Sequence, residues 1–356
     1  MTVRRCPRCQ TSYEAPARYC VKDGSPLVEA DQPSDAGLRP SVQPSLASSP
    51  FEDPAPAASL LTLSGQVLDG RYRIGKRLGE GGMSYVYRGE EIETGRQLAV
   101  KILIPRLARD PASVERLRRE ATIATKLEHP NVCPILRLGE AGNGLIYLVM
   151  PYLEGEPLSE HEARRGPFSV AEGIPLLEQM CRGLQHAHDL GIIHRDLKPE
   201  NVMLVPDATI AGGAPFRAVV MDFGLAKERR AGPAVVKLTQ TGIVLGTPEF
   251  MSPEQIRGKP LDGRSDVYAL GVLAFELFTG QLPFSGKTAQ ETMIARLKGA
   301  PMPLREARPE LPARLEAVIL RALTIDPNER YGTMDELAHA FVSATSPGVL
   351  GRLFRR

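Results

Sequence analysis

Two short motifs constrain the fold of this chain more than any other feature. Residues 194–201 read HRDLKPEN, and Asp222 opens the tripeptide DFG, 21 residues after Asn201. A loop carboxylate can accept the proton of an attacking hydroxyl, and carboxylate and amide oxygens are the ligands that Mg²⁺ prefers. Asp196, Asn201 and Asp222 supply these groups, so the pair of motifs indicates phosphoryl transfer.

These motifs resemble the eukaryotic-type (Hanks-type) protein kinase family, and in particular the Ser/Thr kinases of bacteria. The resemblance covers about residues 68–345 and implies an α+β, two-lobed protein kinase fold. In that fold an antiparallel β-sheet and one main helix form the small lobe, whereas the large lobe is mostly helical. Strand-like runs begin near Arg71. Helical periodicity is found at about 110–127, 171–190, 264–279, 288–298, 313–323 and 333–344.

The resemblance assigns a role to each polar residue of the catalytic loop. Asp196 is expected to orient the substrate hydroxyl as a base, and Lys198 to neutralise charge on the transferred phosphoryl group. Asn201 and Asp222 are expected to bind Mg²⁺ or Mn²⁺. The lysine at position 198 resembles the residue that the Ser/Thr branch of the family has at this point of the catalytic loop. The expected activity is therefore transfer of the γ-phosphoryl group of ATP to Ser/Thr hydroxyls on proteins.

The predicted nucleotide site combines a glycine-rich turn with apolar residues from several strands. The sequence LGEGGMSYVY places glycines between two strands, where backbone N–H groups can approach phosphate oxygens, although such hairpins also occur for structural reasons alone. Ser84 stands where the family has a third glycine. Met150 resembles the gatekeeper residue between the lobes. The expected nucleotide-binding residues are Leu78, Gly79, Glu80, Gly81, Gly82, Met83, Ser84, Val86, Ala99, Lys101, Met150, Pro151 and Leu153.

Lys101 lies in the strand-like run LAVKIL and resembles the family lysine that contacts the α- and β-phosphates. A strand lysine alone is normally only solvated. Glu120, on a predicted helix, stands where the family's partner carboxylate belongs, so we expect a Lys101–Glu120 ion pair. Glu120 has alternative partners in Arg116 and Arg119.

A stretch of 31 residues between Asp222 and Glu254 resembles an activation segment. Arg195, next to the catalytic aspartate, implies that phosphorylation of this segment controls activity, because a phosphate can order a loop by pairing with arginine. Thr239 and Thr241 are the predicted autophosphorylation sites. Thr247 is expected to shape the acceptor site.

Three residues are expected to support the catalytic loop and the large lobe. Glu254, in the SPE motif, is predicted to form a buried ion pair with Arg330 near the end of the chain. Asp266 is predicted to brace the catalytic loop through backbone hydrogen bonds. A helix N-terminal carboxylate is the simpler interpretation of Asp266, and both roles are compatible.

Residues 1–30 resemble a short zinc ribbon. CPRC at positions 6–9 supplies Cys6 and Cys9, Cys20 begins a second pair, and Asp23 occupies the fourth ligand position. Three thiolates and one carboxylate can complete a tetrahedral Zn²⁺ site. A disordered reduced tail and a redox pair are the alternatives.

The remaining segments and the composition limit the other functions of the chain. Residues 31–67 are rich in Pro, Ser and Ala, which predicts a disordered linker, and residues 346–356 form a basic tail. The net charge is only +2, so nucleic acid is not an expected partner. No run of 18 apolar residues occurs, and we expect a soluble, cytoplasmic protein without a transmembrane segment.

The expected partners are ATP and proteins that carry Ser/Thr acceptors, and self-association would permit autophosphorylation in trans. Two other classes remain open at this point. A pseudokinase would keep the fold as an ATP-binding scaffold, but such proteins usually lack one of three residues that this chain retains, namely Lys101, Asp196 and Asp222. The zinc-ribbon-like segment could instead make the chain an adaptor for another protein.

Overall fold

The computed structural model describes residues 3–5, 12–14, 28–29, 63–81, 84–103, 124–141, 145–210, 215–223, 248–286 and 288–345. The chain divides into two compact units, Met1–Ala57 and Ala58–Arg356. In the first unit the described residues form three short antiparallel strands in the order β2-β1-β3. They are β1 (Val3–Arg5), β2 (Ser12–Glu14) and β3 (Val28–Glu29).

The second unit begins with a six-stranded antiparallel sheet in the order β4-β5-β6-β7-β9-β8. Its strands are β4 (Val67–Leu68), β5 (Tyr72–Gly81), β6 (Ser84–Glu91), β7 (Gln97–Leu103), β8 (Arg137–Ala141) and β9 (Leu145–Pro151). Successive side chains of a strand point to opposite faces. Leu98, Val100 and Ile102 of β7 therefore share the buried core of this small lobe, and Ala99 and Lys101 face the other side.

The folded small lobe starts earlier than the boundary predicted at residue 68. Leu63 is 5% exposed and belongs to the same core cluster as Leu68 and Tyr72. Backbone hydrogen bonds also join Gly65 and Gln66 to Ile74. The predicted boundary rests on composition, and the proline-rich stretch ends a few residues before the first regular strand of this lobe.

The large lobe is mostly helical. Its helices are α1 (Leu158–Arg165), α2 (Val170–Asp189), α3 (Pro253–Ile256), α4 (Gly263–Thr279), α5 (Ala289–Lys298), α6 (Leu304–Ala307), α7 (Ala313–Ala322) and α8 (Met334–Thr345). Ser169 and Glu172 form a capping box at the start of α2. Gly280 ends α4 in the left-handed conformation with φ 69°, which glycine adopts without a Cβ clash.

The five longest of these helices agree with the predicted helical segments to within about two residues. Helix α1 was missed, since only Leu158 and His161 of its eight residues are buried. The predicted helix over 110–127 lies outside the described residues except for its end. There, Ala124 and Leu127 are buried in the large-lobe core.

A small three-stranded sheet lies at the start of the large lobe. It contains β10 (Glu156–Pro157), β11 (Val202–Pro206) and β12 (Phe216–Val220), in that order. Strands β11 and β12 form a hairpin that directly follows the HRDLKPEN motif and directly precedes the DFG motif. Residues 207–215 connect the two strands of this hairpin. Among the residues that the structure describes, no helix combines the length and apolar character that a membrane crossing needs.

Candidate active site

The backbone of the catalytic loop is hydrogen-bonded to one carboxylate, that of Asp266 at the start of α4. Asp266 is 1% exposed and accepts backbone hydrogen bonds from His194 N at 2.7 Å and Arg195 N at 2.9 Å. His188 Nε2, from α2, lies 2.8 Å from Asp266 Oδ2, the oxygen that also accepts from His194 N. Burial alone would raise the pKa of the Asp266 carboxyl, but these partners outweigh it and lower the pKa. Asp266 is therefore a charged anchor for the loop.

His194 is a fully buried packing residue. Its Nδ1 accepts a hydrogen bond from Asp196 N at 3.2 Å, and its Nε2 lies 2.7 Å from the carbonyl oxygen of Met221. A neutral imidazole with the proton on Nε2 satisfies both contacts. Burial lowers the pKa of His194 and favours that neutral form. The ring also packs against Phe223 of the DFG motif, with ring centroids 4.8 Å apart.

Arg195 and Asp222 adopt left-handed backbone conformations with φ of 64° and 57°. Residues other than glycine rarely adopt this conformation, and it occurs often at functional sites. The Arg195 conformation is held from both sides, because its N–H donates to Asp266 and its carbonyl accepts from Gln255 Nε2 at 2.8 Å. Gln255 also closes the capping box of α3 with Ser252. The SPE helix is thus joined directly to the catalytic loop.

Asp196 and Asn201 face each other across the turn that ends the catalytic loop. Asn201 Nδ2 donates to the carbonyl oxygen of Asp196 at 2.8 Å and lies 3.3 Å from its carboxylate Oδ2. The Asn201 amide is oriented by these contacts, which leave its oxygen available as an acceptor. Lys198, between them in the chain, is partly buried, and its charge helps to lower the pKa of Asp222.

Backbone contacts position Asp222 at the end of β12. Val220 N and O pair with Asn131 O and Cys133 N at 2.9 Å each, and Met221 N donates to Asn201 O at 2.8 Å. The metal-binding candidates Asn201 and Asp222 are therefore brought together by one backbone hydrogen bond. Hairpin geometry explains this proximity, since Val202 pairs with Val220 at the open end of the β11–β12 hairpin.

Lys101 reaches across the cleft to Asp222. Its Nζ lies 2.8 Å from Asp222 Oδ1, and the two side chains are 19% and 33% exposed. Burial would raise the pKa of the Asp222 carboxyl, but the Lys101 ammonium outweighs burial and lowers the pKa. Sequence analysis assigned Lys101 a different partner, Glu120, which lies outside the described residues. The contact with Asp222 was not anticipated.

An apolar cluster lies beside this ion pair. Ala99 pairs with Met150 across β7 and β9, and both are buried with Cys133 and Val219. The partly buried members of the cluster are Val86, Leu153, Met203, Val205 and Met221. Sequence analysis named Val86, Ala99, Met150 and Leu153 but missed the other members. Burial raises the pKa of the Cys133 thiol to about 12.

The glycine-rich segment forms the β5–β6 hairpin that was predicted. Gly79 pairs with Val86, Glu80 with Tyr85, and Gly81 with Ser84, so the connection consists of Gly82 and Met83. Among the described residues, apart from Gly79 itself and its two chain neighbours, no atom lies within 4 Å of the position that a Cβ of Gly79 would take. Ser84 is 7% exposed and Leu78 is 46% exposed. Pro151 ends β9 opposite Leu98 and is partly buried.

The Glu254–Arg330 contact is present. Arg330 Nη1 and Nη2 donate to the two oxygens of Glu254 at 2.8 Å each. Ser265 Oγ adds a third hydrogen bond to Glu254 at 2.7 Å, and Arg330 also donates to the carbonyl oxygen of Arg264. Burial would raise the pKa of Glu254, but Arg330 outweighs it and lowers the pKa.

Several predicted site residues lie outside the described residues. They are Gly82, Met83, Glu120, Thr239, Thr241, Thr247, Cys6, Cys9, Cys20 and Asp23. Sequence reasoning also missed His188, Gln255 and Asn131. A histidine or an amide side chain carries no motif of its own, so only the three-dimensional contacts identify these three residues.

The architecture and the order of motifs agree with a known family. Residues 72–342 match the family model described as protein kinase domain. The chain belongs to the protein kinase family. The matched range includes every described residue of the catalytic loop, the DFG motif and strand β7, which carries Lys101.

Named relatives and a solved structure support the assignment. The chain is 40% identical over 292 residues to the Serine/threonine-protein kinase pkn2 of Myxococcus xanthus, which covers 80% of this chain and 34% of the relative. It is 39% identical over 273 residues to the Serine/threonine-protein kinase PknB of Mycobacterium tuberculosis, covering 76% and 42%. The crystal structure of the Mycobacterium tuberculosis PknI kinase domain superposes with a TM-score of 0.62 at 29% identity, covering 80% and 99%. The chain spans well under half the length of both curated relatives.

Proposed function

We propose that this chain is a Ser/Thr protein kinase that transfers the γ-phosphoryl group of ATP to Ser/Thr hydroxyls on proteins. The proposal is carried by the convergence of Lys101, Asp222, Asn201 and Asp196 within one connected set of contacts. Phosphoryl transfer uses a carboxylate that orients the hydroxyl, oxygen ligands for the metal and a lysine for the phosphates, and these four residues supply groups of those kinds. The Ser/Thr kinases among the relatives support the choice of acceptor.

Asp196 is the proposed base. Its carboxylate is partly exposed in the catalytic loop, and the Asn201 amide 3.3 Å away fixes the orientation of the oxygen Oδ2. A substrate hydroxyl that meets this carboxylate can be oriented and can transfer its proton there. Lys198, two residues later, places a positive charge beside the same position. In this proposal Asp196 accepts the proton, and Lys198 neutralises charge on the transferred phosphoryl group.

The donor set fits a magnesium or manganese ion. Asp222 remains ionised because its pKa is lowered, and the oxygen of Asn201 is available once its Nδ2 donates to Asp196. Hard oxygen ligands of this kind suit Mg²⁺, which keeps further ligands from water and phosphate. When bound, the metal neutralises phosphate charge. Lys101 lies next to the same carboxylate and would contact the phosphates as well.

The apolar cluster around Ala99 and Met150 is the proposed adenine site, with Val86 and Leu153 at its edge. Leu78 is more exposed and would cover the base from the glycine hairpin. The backbone of the segment after Pro151 can supply a carbonyl and an N–H to the base, since proline removes only its own donor. The glycines of the β5–β6 hairpin leave room for backbone N–H groups to approach phosphate.

Autophosphorylation of Thr239 and Thr241 is the proposed activating step, with Arg195 as the receiving cation. The support is the position of Arg195, whose backbone is fixed to both Asp266 and Gln255. A phosphate that pairs with this guanidinium would act on an already rigid loop. Self-association of two chains would allow the reaction in trans. Phosphopeptide mapping of fully active enzyme tests this, and two unmodified threonines would overturn it.

Zinc binding by the first unit is proposed from its strand topology. Segment 6–11 follows Arg5 at the end of β1, and segment 15–27 leads into Val28 of β3. Because Arg5 pairs with Val28, both cysteine-bearing segments adjoin the same end of the sheet. Three thiolates and Asp23 would complete a tetrahedral site there. Metal analysis of the full chain should give one zinc per chain, lost in Cys9→Ser, and absence of zinc would refute the proposal.

The kinase activity is tested by incubating the purified chain with Mg-ATP and a protein substrate mixture, followed by mass spectrometry. Asp196→Asn should abolish phosphate incorporation. Asp189→Asn is the matched control, because Asp189 ends α2 at the surface and takes no part in the site. Equal incorporation by the wild type and Asp196→Asn would refute the catalytic assignment and favour an ATP-binding scaffold.

A further inference from the structure

The peptide unit that leads into Asp196 is held at both of its polar atoms. The carbonyl oxygen of Arg195 accepts a hydrogen bond from Gln255 Nε2 at 2.8 Å, and the N–H of Asp196 donates to His194 Nδ1 at 3.2 Å. The carbonyl oxygen of Asp196 accepts from Asn201 Nδ2 at 2.8 Å. Hydrogen bonds therefore fix the backbone on both sides of the proposed base.

Gln255 is the partner in this set that comes from outside the HRDLKPEN motif. It lies 60 positions after Arg195, on α3, the helix of the SPE motif. Its amide oxygen accepts from Ser252 N at 2.8 Å, and its backbone N–H donates to Ser252 Oγ at 3.3 Å. Ser252 is fully buried. The amide of Gln255 is thus bound to the start of α3 through its oxygen and to the catalytic loop through its nitrogen.

The conformation of Arg195 explains why this support matters. Its φ of 64° lies in the left-handed region, which a residue with a Cβ adopts at an energetic cost. Asp266 Oδ1 holds the N–H of Arg195 at 2.9 Å, and Gln255 holds its carbonyl. Without Gln255, the Arg195–Asp196 peptide would have more freedom to rotate. Such a rotation changes φ of Asp196 and so turns its carboxylate.

The two contacts of the Gln255 side chain require a donor and an acceptor on one planar group. An amide supplies both, whereas an ionised carboxylate only accepts. A glutamate at position 255 would therefore place an oxygen lone pair against the Arg195 carbonyl. Protonation of that glutamate would restore a donor. Glutamate has nearly the size and shape of glutamine, so it separates the hydrogen bond from the packing.

We propose that Gln255 is a positioning residue that sets the orientation of Asp196 toward the acceptor hydroxyl. The proposal rests on the kinase function proposed above. Gln255 acts through the Arg195 carbonyl and not on the reacting atoms. Its loss should lower kcat and leave KM for ATP nearly unchanged, because Ala99 and Lys101 are held by the pairing of β7 with β9.

Steady-state kinetics of the full chain with Mg-ATP and a protein substrate test the proposal across pH. Gln255→Met should lower kcat by about tenfold or more at every pH. Gln255→Glu should be similarly impaired near pH 8, and its kcat relative to the wild type should rise as pH falls toward about 5.5, because protonation restores the donor. The ratio removes the titration of His188, His194 and Asp266, which both proteins share.

Two control variants separate positioning from stability. Ser252→Ala removes the Oγ cap of α3 but keeps the backbone N–H that binds Gln255 Oε1. It should therefore destabilise α3 and retain the wild-type kcat. Gln290→Glu, at an exposed position of α5, should match the wild type at every pH.

The outcomes distinguish this proposal from the kinase function. An inactive wild type would overturn the kinase function. With an active wild type, a Gln255→Glu ratio that does not change with pH would overturn the positioning role alone. A loss of kcat in Ser252→Ala as large as in Gln255→Met would overturn it too.

A measurement on the wild type decides the matter even if the variants fail to fold. The side-chain NH2 protons of Gln255 donate to a backbone carbonyl, so they should exchange slowly with solvent in nuclear magnetic resonance experiments. Rapid exchange of these protons in active enzyme would overturn the proposal.

Discussion

Arg330 holds both carboxylate oxygens of Glu254, a residue 76 positions earlier in the chain, at 2.8 Å each. The Arg330 side chain is fully buried, and its guanidinium also lies over the Tyr268 ring at 4.8 Å from the centroid. The pair connects the SPE helix α3 with the segment before α8. Because α3 also contacts the catalytic loop through Gln255, loss of the pair should affect both stability and catalysis.

Arg330→Ala should lower the free energy of unfolding by about 3–5 kcal/mol, because it leaves the Glu254 carboxylate buried without its counter-ion. Urea denaturation followed by circular dichroism measures the change. Arg314→Ala, at an exposed position of α7, is the control and should change stability by less than about 0.5 kcal/mol. The double variant Glu254→Leu/Arg330→Met should be more stable than Arg330→Ala alone. A loss in Arg330→Ala no larger than in the control would contradict the structural role.

Asp266→Asn should slow phosphate transfer while leaving nucleotide affinity nearly unchanged. An asparagine keeps only one acceptor oxygen, so it loses either the bond from Arg195 N to Oδ1 or the contacts of His194 N and His188 with Oδ2. We expect kcat to fall by about tenfold or more, which corresponds to about 1.4 kcal/mol. Steady-state kinetics and nucleotide titration separate the two effects. Unchanged kcat in a folded variant would show that the catalytic loop does not depend on this anchor.

The same substitution should change the acid sensitivity of the fold. The pKa of Asp266 is lowered in the folded state, so its stabilising contribution is present at neutral pH and is lost as pH falls below about 4. The stability of Asp266→Asn should therefore depend less on pH between about 5 and 2 than that of the wild type. Urea midpoints measured across this range test the difference. Parallel curves for the two proteins would contradict it.

The stability of Glu162→Gln relative to the wild type should increase as pH rises. The pKa of Glu162 is raised to about 8 by burial and by Glu276 and Glu200, so ionisation destabilises the folded state as pH rises from about 5 to 8. The variant should be more stable than the wild type at pH 8.5 and should lose that advantage near pH 5. Thermal unfolding at both values measures this. A variant that is less stable than the wild type at pH 8.5 would refute it.

Lys101→Met should weaken binding of Mg-ATP by about tenfold or more, because it removes both a phosphate contact and the ammonium that keeps Asp222 ionised. Without that ammonium, burial raises the pKa of Asp222, so affinity in the variant should fall more steeply with decreasing pH than in the wild type. Titration calorimetry at several pH values checks both effects. Lys76→Met, on the same sheet, is the control. Identical pH dependence in the wild type and Lys101→Met would refute the coupling.

Much of this arrangement could be predicted from the sequence, since the catalytic motifs and the long amphipathic helices carry strong local signals. The contacts of Glu254 with Arg330 and of Asp266 with the catalytic loop were expected from the family resemblance. Lys101 was assigned to Glu120, and its contact with Asp222 was not foreseen, because an ion pair depends on how two lobes meet. The pocket lined by Glu162, Glu200 and Glu276 was also not predicted, since its members are scattered over more than 100 residues and α1 itself has few apolar residues.

Cys133 belongs to the apolar cluster proposed as the adenine site, and its protonation state matters for inhibitor chemistry. Cys133 is 6% exposed, and its thiol pKa of about 12 leaves almost no thiolate at neutral pH. Electrophilic warheads react with the thiolate and not with the thiol. Compounds directed at this cleft should therefore be designed as reversible ligands that gain selectivity from Met150 and Met203, whose flexible thioethers can adapt to an unusual ring shape.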